Sequence, residues 1–168
     1  PDIAKIVKEA GIGIELSCAP GIVWPQKAAD WGDAPLSAYY MSGRRQADVA
    51  ADDALRVVVI QGAGKHFMAG GDLNTFAAEL GKPAAERNAF FHGVITRLHS
   101  AIEAFHRMPH PVVGRVHGAV AGFGLSLMNA CDLVVAADNA YFASAYRNIG
   151  LTPDGGGSWA LPRIVGAR

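Results

Sequence analysis

The chain is poor in the residues that mark several classes of protein. Its 168 residues include two cysteines, too few for a disulfide framework or a zinc cluster, and we expect both to be reduced structural thiols. Fifteen basic side chains balance fifteen acidic ones, and neither a basic stripe nor a polybasic helix indicates binding to nucleic acid or a membrane surface. The uncharged stretch 118–131 is too short to cross a bilayer and suits a buried helix.

No signal peptide is recognisable, and the chain begins at Pro1, which leaves a processed or truncated start open. We expect a cytoplasmic protein. An apolar content of 51% with 18% charged residues is typical of a globular chain and argues against disorder. The length favours a single domain.

The most informative stretch is residues 56–73, RVVVIQGAGKHFMAGGDL. The β-branched run at 57–60 has the length of a short buried strand. Four glycines follow it: Gly62, Gly64, Gly70 and Gly71. Asp72 comes next and is a residue type that caps helices. Glycine lets a ligand approach the main chain, so free N–H groups in this turn suit an anion or a developing oxyanion.

The rest of the chain after residue 55 alternates strands with helices. Apolar residues every three or four positions predict a long amphipathic helix over 84–108, stopped by two prolines. Short strands are predicted at 112–117, 132–136 and 140–143, and helices at 123–130 and around 158–161. This alternation predicts an α/β architecture with mainly parallel pairing. Before residue 55 the pattern is weak, and only 12–16 and 21–24 suggest strands.

Other chemistries fit the motifs poorly. The turn after residue 60 lacks the third glycine of a dinucleotide fingerprint and the Gly-Lys-Ser/Thr of a phosphate-binding loop. Ser126 lacks the flanking glycine spacing of a nucleophile elbow and is expected to be a small buried helix residue. His92, His99 and His106 recur every seven residues, too far apart along a helix to share one metal ion. We therefore expect a polar helix flank there and no metal site.

Two glycine turns follow neighbouring predicted strands. Gly70 and Gly71 lie after the first strand, and the segment from Gly118 to Gly124 lies after the second. Each turn leads into a helix, whose N-terminus offers unpaired N–H donors and the positive end of the helix dipole. Two such turns at equivalent ends of neighbouring strands can converge on one carbonyl oxygen, which is the geometry of a main-chain oxyanion hole.

Three motifs link this part of the chain to a known enzyme superfamily. They are FMAGGDL at 67–73, HGAVAGFG at 117–124 followed by ACDL at 130–133, and IGLTPDGGG at 149–157 followed by LPR at 161–163. In order and spacing they resemble the signatures of the crotonase (enoyl-CoA hydratase/isomerase) superfamily, over residues 55–168. The resemblance implies an α/β spiral of ββα units that binds acyl-CoA thioesters, with coenzyme A present only as part of the substrate.

The resemblance also implies roles for individual residues. The oxyanion donors would be the backbone N–H groups of Gly71 and Phe123, and Ala69 would lie beside the CoA adenine. The implied substrate- and CoA-binding residues are Ala69, Gly70, Asp72, Leu73, Gly122 and Tyr146.

The acid–base residues differ from those of the family's hydratases. The two hydratase glutamates correspond to Ser126 and Tyr146 here, and neither can act as a carboxylate near neutral pH. The acid of the third motif is Asp154, and similar family members with an acid there, including double-bond isomerases and the ring-opening isomerases of phenylacetate breakdown, use it to move a proton. This favours an isomerase with Asp154 as catalytic residue, although a turn or N-cap role for Asp154 stays open.

The chain departs from the family pattern at both ends. Residues 21–24 resemble the family's first strand, and residues 36–41 resemble its CoA-lining segment. The residues between them, 25–35, match no part of the family pattern, so we expect either a local frame error or a genuine divergence. Family members continue with further helices that cover the acyl pocket and build the trimer. We therefore interpret 1–168 as a partial core, divergent over 1–54 and motif-bearing over 55–168, which forms a homotrimer or hexamer at full length.

Two functional hypotheses of different class follow. The first is an acyl-CoA isomerase in which an oxyanion hole stabilises a thioester enolate. The second is a catalytically silent acyl-CoA binder or inactive fragment, favoured by the missing glutamates and the divergent N-terminal part. A thioester hydrolase or protease-like relative is disfavoured because no activated nucleophile is recognisable.

Overall fold

The computed structural model describes residues 15–18, 50–51, 56–62 and 65–167. The strands are β1 (Glu15–Cys18), β2 (Val58–Gly62), β3 (Val112–Val116), β4 (Ala119–Ala121), β5 (Leu133–Ala136) and β6 (Tyr141–Ala143). The helices are α1 (Leu73–Leu80), α2 (Ala84–His106), α3 (Phe123–Asn129) and α4 (Gly157–Val165), with a 3₁₀ helix at Ala145–Ile149.

Two parallel sheets form the framework. The larger has the strand order β1-β2-β3-β5, and the smaller pairs β4 with β6. Every pairing between these strands is parallel, which confirms the predicted α/β architecture. An isolated parallel bridge joins Met68 to Val120 and so attaches the segment after β2 to the smaller sheet. The chain therefore moves from one sheet to the other directly after β2 and again after β3.

The core lies around the central strands and α2. Val58 and Val112 are fully buried in neighbouring strands, as expected for a parallel sheet covered on both faces. One stripe of α2 packs into this core through four buried side chains: Val94, Leu98, Ile102 and Phe105. Ile95, which belongs to the predicted apolar pattern, is 40% exposed and lies outside the buried stripe. The helix ends at His106, two residues before the predicted end, and Arg107 is its C-cap residue.

Strand β5 is apolar but poorly covered. All four of its residues are exposed, with Leu133 at 64%. The strand pairs only with β3 among the described strands, so it forms an edge of the larger sheet. Its sequence alone, LVVA, resembles a buried strand, and the difference arises from its position at the edge.

The N-terminal predictions are tested only in part. β1 overlaps the predicted strand 12–16 at Glu15 and Leu16 and pairs with β2. The predicted strand 21–24 and the divergent segments 25–35 and 36–41 lie outside the described residues. Among the helices that the structure describes, none is both long enough and apolar enough to cross a membrane.

Candidate active site

The first glycine turn is held against strand β4 by backbone hydrogen bonds. Phe67 N–H donates to His117 O at 2.8 Å, and Met68 N–H donates to Ala119 O at 3.1 Å. Ala121 N–H returns a bond to Met68 O at 2.8 Å. These three bonds fix the chain immediately before Gly70, which has φ 111°, a conformation that glycine adopts readily. The turn is therefore anchored to the smaller sheet.

Asp72 ends this turn and caps α1, as predicted. Its Oδ1 accepts the Asn74 N–H at 2.9 Å, and its Oδ2 accepts the Thr75 hydroxyl at 2.8 Å. Both carboxylate oxygens are thus engaged in satisfying the first turn of the helix. Leu73, the next residue, is 55% exposed.

The second glycine turn leads into α3 and touches the first. Gly122 has φ 52° and donates its N–H to Ala143 O at 3.0 Å, so β6 fixes its position. A methyl group on Gly70 would lie 3.9 Å from Phe123 N, and one on Gly122 would lie 3.3 Å from Gly70 Cα. The two turns that the sequence predicted to converge are in contact.

Gly124 permits this close approach. A methyl group on Gly124 would overlap the carbonyl oxygen of Met68 and would lie 2.9 Å from the Met68 carbonyl carbon. Only a residue without a side chain lets the first turn of α3 pack so closely on the chain before Gly70. The identity of Gly124 therefore sets the separation between the two turns.

The N–H groups of Gly71 and Phe123 are available as donors. Within the described ranges, neither donates a hydrogen bond to another residue. Phe123 is the first residue of α3, where backbone N–H groups have no partner within the helix. Both donors thus belong to adjoining turns, and the positive end of the α3 dipole adds to the field at Phe123.

Asp154 reaches this region on a glycine loop that packs on α3. Gly155 has φ 55°, and a methyl group there would lie 2.9 Å from Phe123 Cε2 and 3.0 Å from Ser126 Cβ. The Gly155 N–H also donates to Nε2 of His99 on α2 at 3.3 Å. The loop is therefore fixed from two helices, and this places Asp154 beside the first turn of α3.

Two hydroxyl groups hold Asp154. The Tyr146 hydroxyl donates to Asp154 Oδ1 at 2.6 Å, and the Ser126 hydroxyl donates to the Asp154 backbone oxygen at 2.8 Å. Burial, followed by the hydrogen bond to Asp154, raises the pKa of Tyr146 above its ordinary value, so the phenol stays protonated at neutral pH. The Asp154 carboxylate is half-buried, and its Oδ2 accepts no hydrogen bond from the residues described here.

The predicted site residues are therefore brought together in two groups. The first comprises the two glycine turns, Gly70-Gly71 and Gly122-Phe123, and the second is Asp154 with Ser126 and Tyr146. Ser126 is a buried helix residue, as predicted, at 2% exposure. Ala69 lies exposed at the edge of the first turn.

Three contacts at this site were not predicted from the sequence. The seven-residue spacing predicts a polar helix flank for His99, which is exposed, yet its Nε2 accepts the Gly155 N–H. Its spacing along α2 carried no signal of that contact. Ser126 and Tyr146 carry hydroxyls at the positions that resemble the family's glutamates, and both hydroxyls donate hydrogen bonds to Asp154. Their shared alignment with the family's glutamate positions was the available signal.

Comparison with known proteins decides the family. A sequence model described as enoyl-CoA hydratase/isomerase matches residues 46–168, which is most of the chain. The chain belongs to the enoyl-CoA hydratase/isomerase family. Its fold is accordingly the crotonase fold, as the similarity to solved structures also shows.

Relatives in the enoyl-CoA hydratase/isomerase family carry both reaction names. The chain is 37% identical over 122 residues to 1,2-epoxyphenylacetyl-CoA isomerase of Escherichia coli, a match covering 70% of this chain and 44% of the relative. It is 35% identical over 122 residues to the human mitochondrial Delta(3,5)-Delta(2,4)-dienoyl-CoA isomerase, covering 70% and 37%. A crystal structure of an enoyl-CoA hydratase from Polaromonas is 44% identical with a TM-score of 0.64, covering 70% and 44%. The chain thus spans about two fifths of the length of these relatives.

Proposed function

We propose that the full-length protein acts on acyl-CoA thioesters and moves a proton or a double bond rather than adding water. The observation that carries this proposal is the pairing of Asp154 with two hydroxyls, Tyr146 and Ser126, beside the adjoining glycine turns. The two hydroxyls stand where the family's hydratases carry glutamates. The names of the Escherichia coli and human relatives, both isomerases, favour the same class of reaction.

In the proposed reaction the N–H groups of Gly71 and Phe123 donate to the thioester oxygen. Asp154 Oδ2 takes a proton from the acyl chain, and the electrons of the broken C–H bond move toward the thioester to form an enolate. The two N–H donors stabilise the negative charge that develops on oxygen. Asp154 then returns the proton to a different carbon, so the double bond moves and no water is consumed.

Asp154 is a better candidate for this proton transfer than Asp72, the carboxylate next to Gly71. Both oxygens of Asp72 accept hydrogen bonds from the first turn of α1, so it serves as a helix cap. Asp154 has one oxygen on Tyr146 and leaves Oδ2 to meet the substrate.

The proposal is tested by assaying the full-length protein with a 3-enoyl-CoA and following the 2-enoyl and 3-hydroxy products separately. Asp154→Asn is expected to lower isomerisation by about 10²- to 10⁴-fold, the usual contribution of general acid–base catalysis. Asp138→Asn, which neutralises an exposed acid between β5 and β6, is the matched control and should retain activity. Undiminished isomerisation by Asp154→Asn removes Asp154 from the mechanism. No turnover of the 3-enoyl-CoA by the wild type, together with conversion of a separately supplied 2-enoyl-CoA to the 3-hydroxy product, assigns a hydratase.

A catalytically silent acyl-CoA binder is the second candidate. It is favoured by the hydroxyls at both glutamate positions, since neither supplies a carboxylate. Binding of several acyl-CoA thioesters without turnover of any of them would support it. The homotrimer or hexamer expected from the family resemblance stays a prediction, and sedimentation of the full-length protein checks it.

A further inference from the structure

The hydroxyl groups of Ser126 and Tyr146 both donate their hydrogen bonds to Asp154. Each hydroxyl carries a single hydrogen. The Tyr146 hydrogen is directed to Asp154 Oδ1 at 2.6 Å, and the Ser126 hydrogen is directed to the Asp154 backbone oxygen at 2.8 Å. The contact between the two hydroxyl oxygens, at 3.4 Å, is then left without a hydrogen of its own. Both hydroxyls therefore donate to the same residue, one to its side chain and one to its main chain.

Tyr146 is itself held firmly in place. It lies in the 3₁₀ helix that follows β6, and its side chain is buried at 9% exposure. Its backbone oxygen accepts the Leu151 N–H at 3.1 Å, after Gly150 turns the chain with φ 70°. The phenol is thus presented to Asp154 from a fixed backbone, and a buried aromatic ring has few other rotamers to adopt.

We propose that Tyr146 is a positioning residue, which holds one oxygen of the Asp154 carboxylate so that Oδ2 faces the substrate. This inference rests on the function proposed above, because it assigns Tyr146 an effect only through the proton transfer by Asp154. It changes the expected role of Tyr146 from direct substrate binding to orientation of the base. A carboxylate on a flexible side chain samples several orientations, and a short hydrogen bond to one oxygen selects among them.

Ser126 and Gly155 support the same orientation from the main chain. The Ser126 hydroxyl fixes the carbonyl of Asp154, while Gly155 lets the loop pack on Phe123 and Ser126. The side chain of Asp154 is therefore constrained by Tyr146, and its backbone by α3. Ser126 and Tyr146 occupy positions that hold glutamates in the family's hydratases. In this chain both side chains serve to orient Asp154 on the neighbouring loop.

The test is a double-mutant cycle on the full-length protein, using kcat and KM for isomerisation of a 3-enoyl-CoA. Tyr146→Phe removes only the hydroxyl and is expected to lower kcat by roughly 10- to 100-fold, the effect of losing a hydrogen bond to a charged group. KM should stay unchanged, because the phenol is directed at Asp154. Tyr141→Phe, which removes the hydroxyl of an exposed tyrosine in β6, is the matched control and should leave both constants unchanged.

The cycle also separates orientation from a general structural effect. In an Asp154→Asn background, Tyr146→Phe should cause no further loss of kcat, because the group that it positions is already gone. An equal loss in both backgrounds, a rise in KM with unchanged kcat, or an unaffected Tyr146→Phe enzyme would each overturn the inference. Full activity in Asp154→Asn alone would instead contradict the proposed function, so the two failures are distinguishable.

Discussion

Replacing Gly124 with alanine tests whether the spacing of the two glycine turns controls catalysis. The new methyl group would lie 2.9 Å from the Met68 carbonyl carbon and 2.8 Å from Met68 Cβ, and it would overlap the Met68 carbonyl oxygen. Carbon atoms make favourable contacts at about 3.5 Å or more, so the first turn of α3 must move by at least about 0.6 Å. Met68 cannot move aside easily, because its backbone is bonded to β4 on both sides.

The expected losses of stability and of kcat follow from this shift of α3. Overpacking of this kind costs about 1–3 kcal/mol, and alanine's better helix propensity recovers at most about 1 kcal/mol. Moving the Phe123 N–H away from Gly71 should lower kcat by roughly 10- to 100-fold, since a misplacement near 1 Å or the loss of one oxyanion donor costs about that much or more.

Gly93→Ala is the matched control for this prediction. Gly93 also lies in a helix, but its nearest neighbours would be the Arg97 guanidinium nitrogens at 3.8 and 3.9 Å, an ordinary contact. This control should gain about 0.5–1 kcal/mol of stability and keep its activity. Urea unfolding and isomerisation kinetics of the full-length protein measure both variants. A Gly124→Ala variant as stable and as active as Gly93→Ala would show that the spacing of the two turns does not control catalysis.

Three further predictions concern the loop, the cap and the tyrosine. Gly155→Ala should lower the free energy of unfolding in urea more than Gly150→Ala does. Both glycines have positive φ, which costs an alanine about 1–2 kcal/mol, but only Gly155 also contacts Phe123. Equal losses in the two variants would contradict the close packing. Asp72→Ala should destabilise the protein by about 1 kcal/mol and Asp72→Asn by less, since asparagine still caps; similar losses in both would count against the cap. The raised pKa of Tyr146 means that the unfolded chain ionises first, so stability should fall above about pH 10 in the wild type and more shallowly in Tyr146→Phe, as unfolding against pH will show.

Much of the framework could be predicted because it depends on local patterns. The run Val58–Ile60 is apolar and β-branched, the apolar spacing along α2 continues over many turns, and Asp72 has the side chain of a cap. Each of these signals is contained within one element. β4 was missed because three residues, Ala119–Ala121, are too few to show any periodicity, and its pairing with β6 depends on residues distant in sequence.

The site could be predicted only as far as its backbone. Contact between the two glycine turns could be predicted from their order after neighbouring parallel strands, but the hydrogen bonds that hold them together run through β4. The contacts of Asp154 could not be predicted, because they depend on side-chain directions set by the whole fold. Tyr146 reaches Asp154 from the 3₁₀ helix, and His99 reaches the loop from α2, 56 residues earlier in the chain. No spacing in the sequence predicts these two hydrogen bonds.

Asp154, on the loop that packs against α3, is proposed to form and quench a thioester enolate that the N–H groups of Gly71 and Phe123 stabilise. The most direct measurement is the exchange of acyl-CoA α-protons with D₂O, followed by NMR in the presence of the full-length protein. It reports enolate formation even when the natural acyl chain is unknown. We predict exchange by the wild type and a loss of at least about 100-fold in Asp154→Asn. Equal exchange rates in the two proteins would contradict the account.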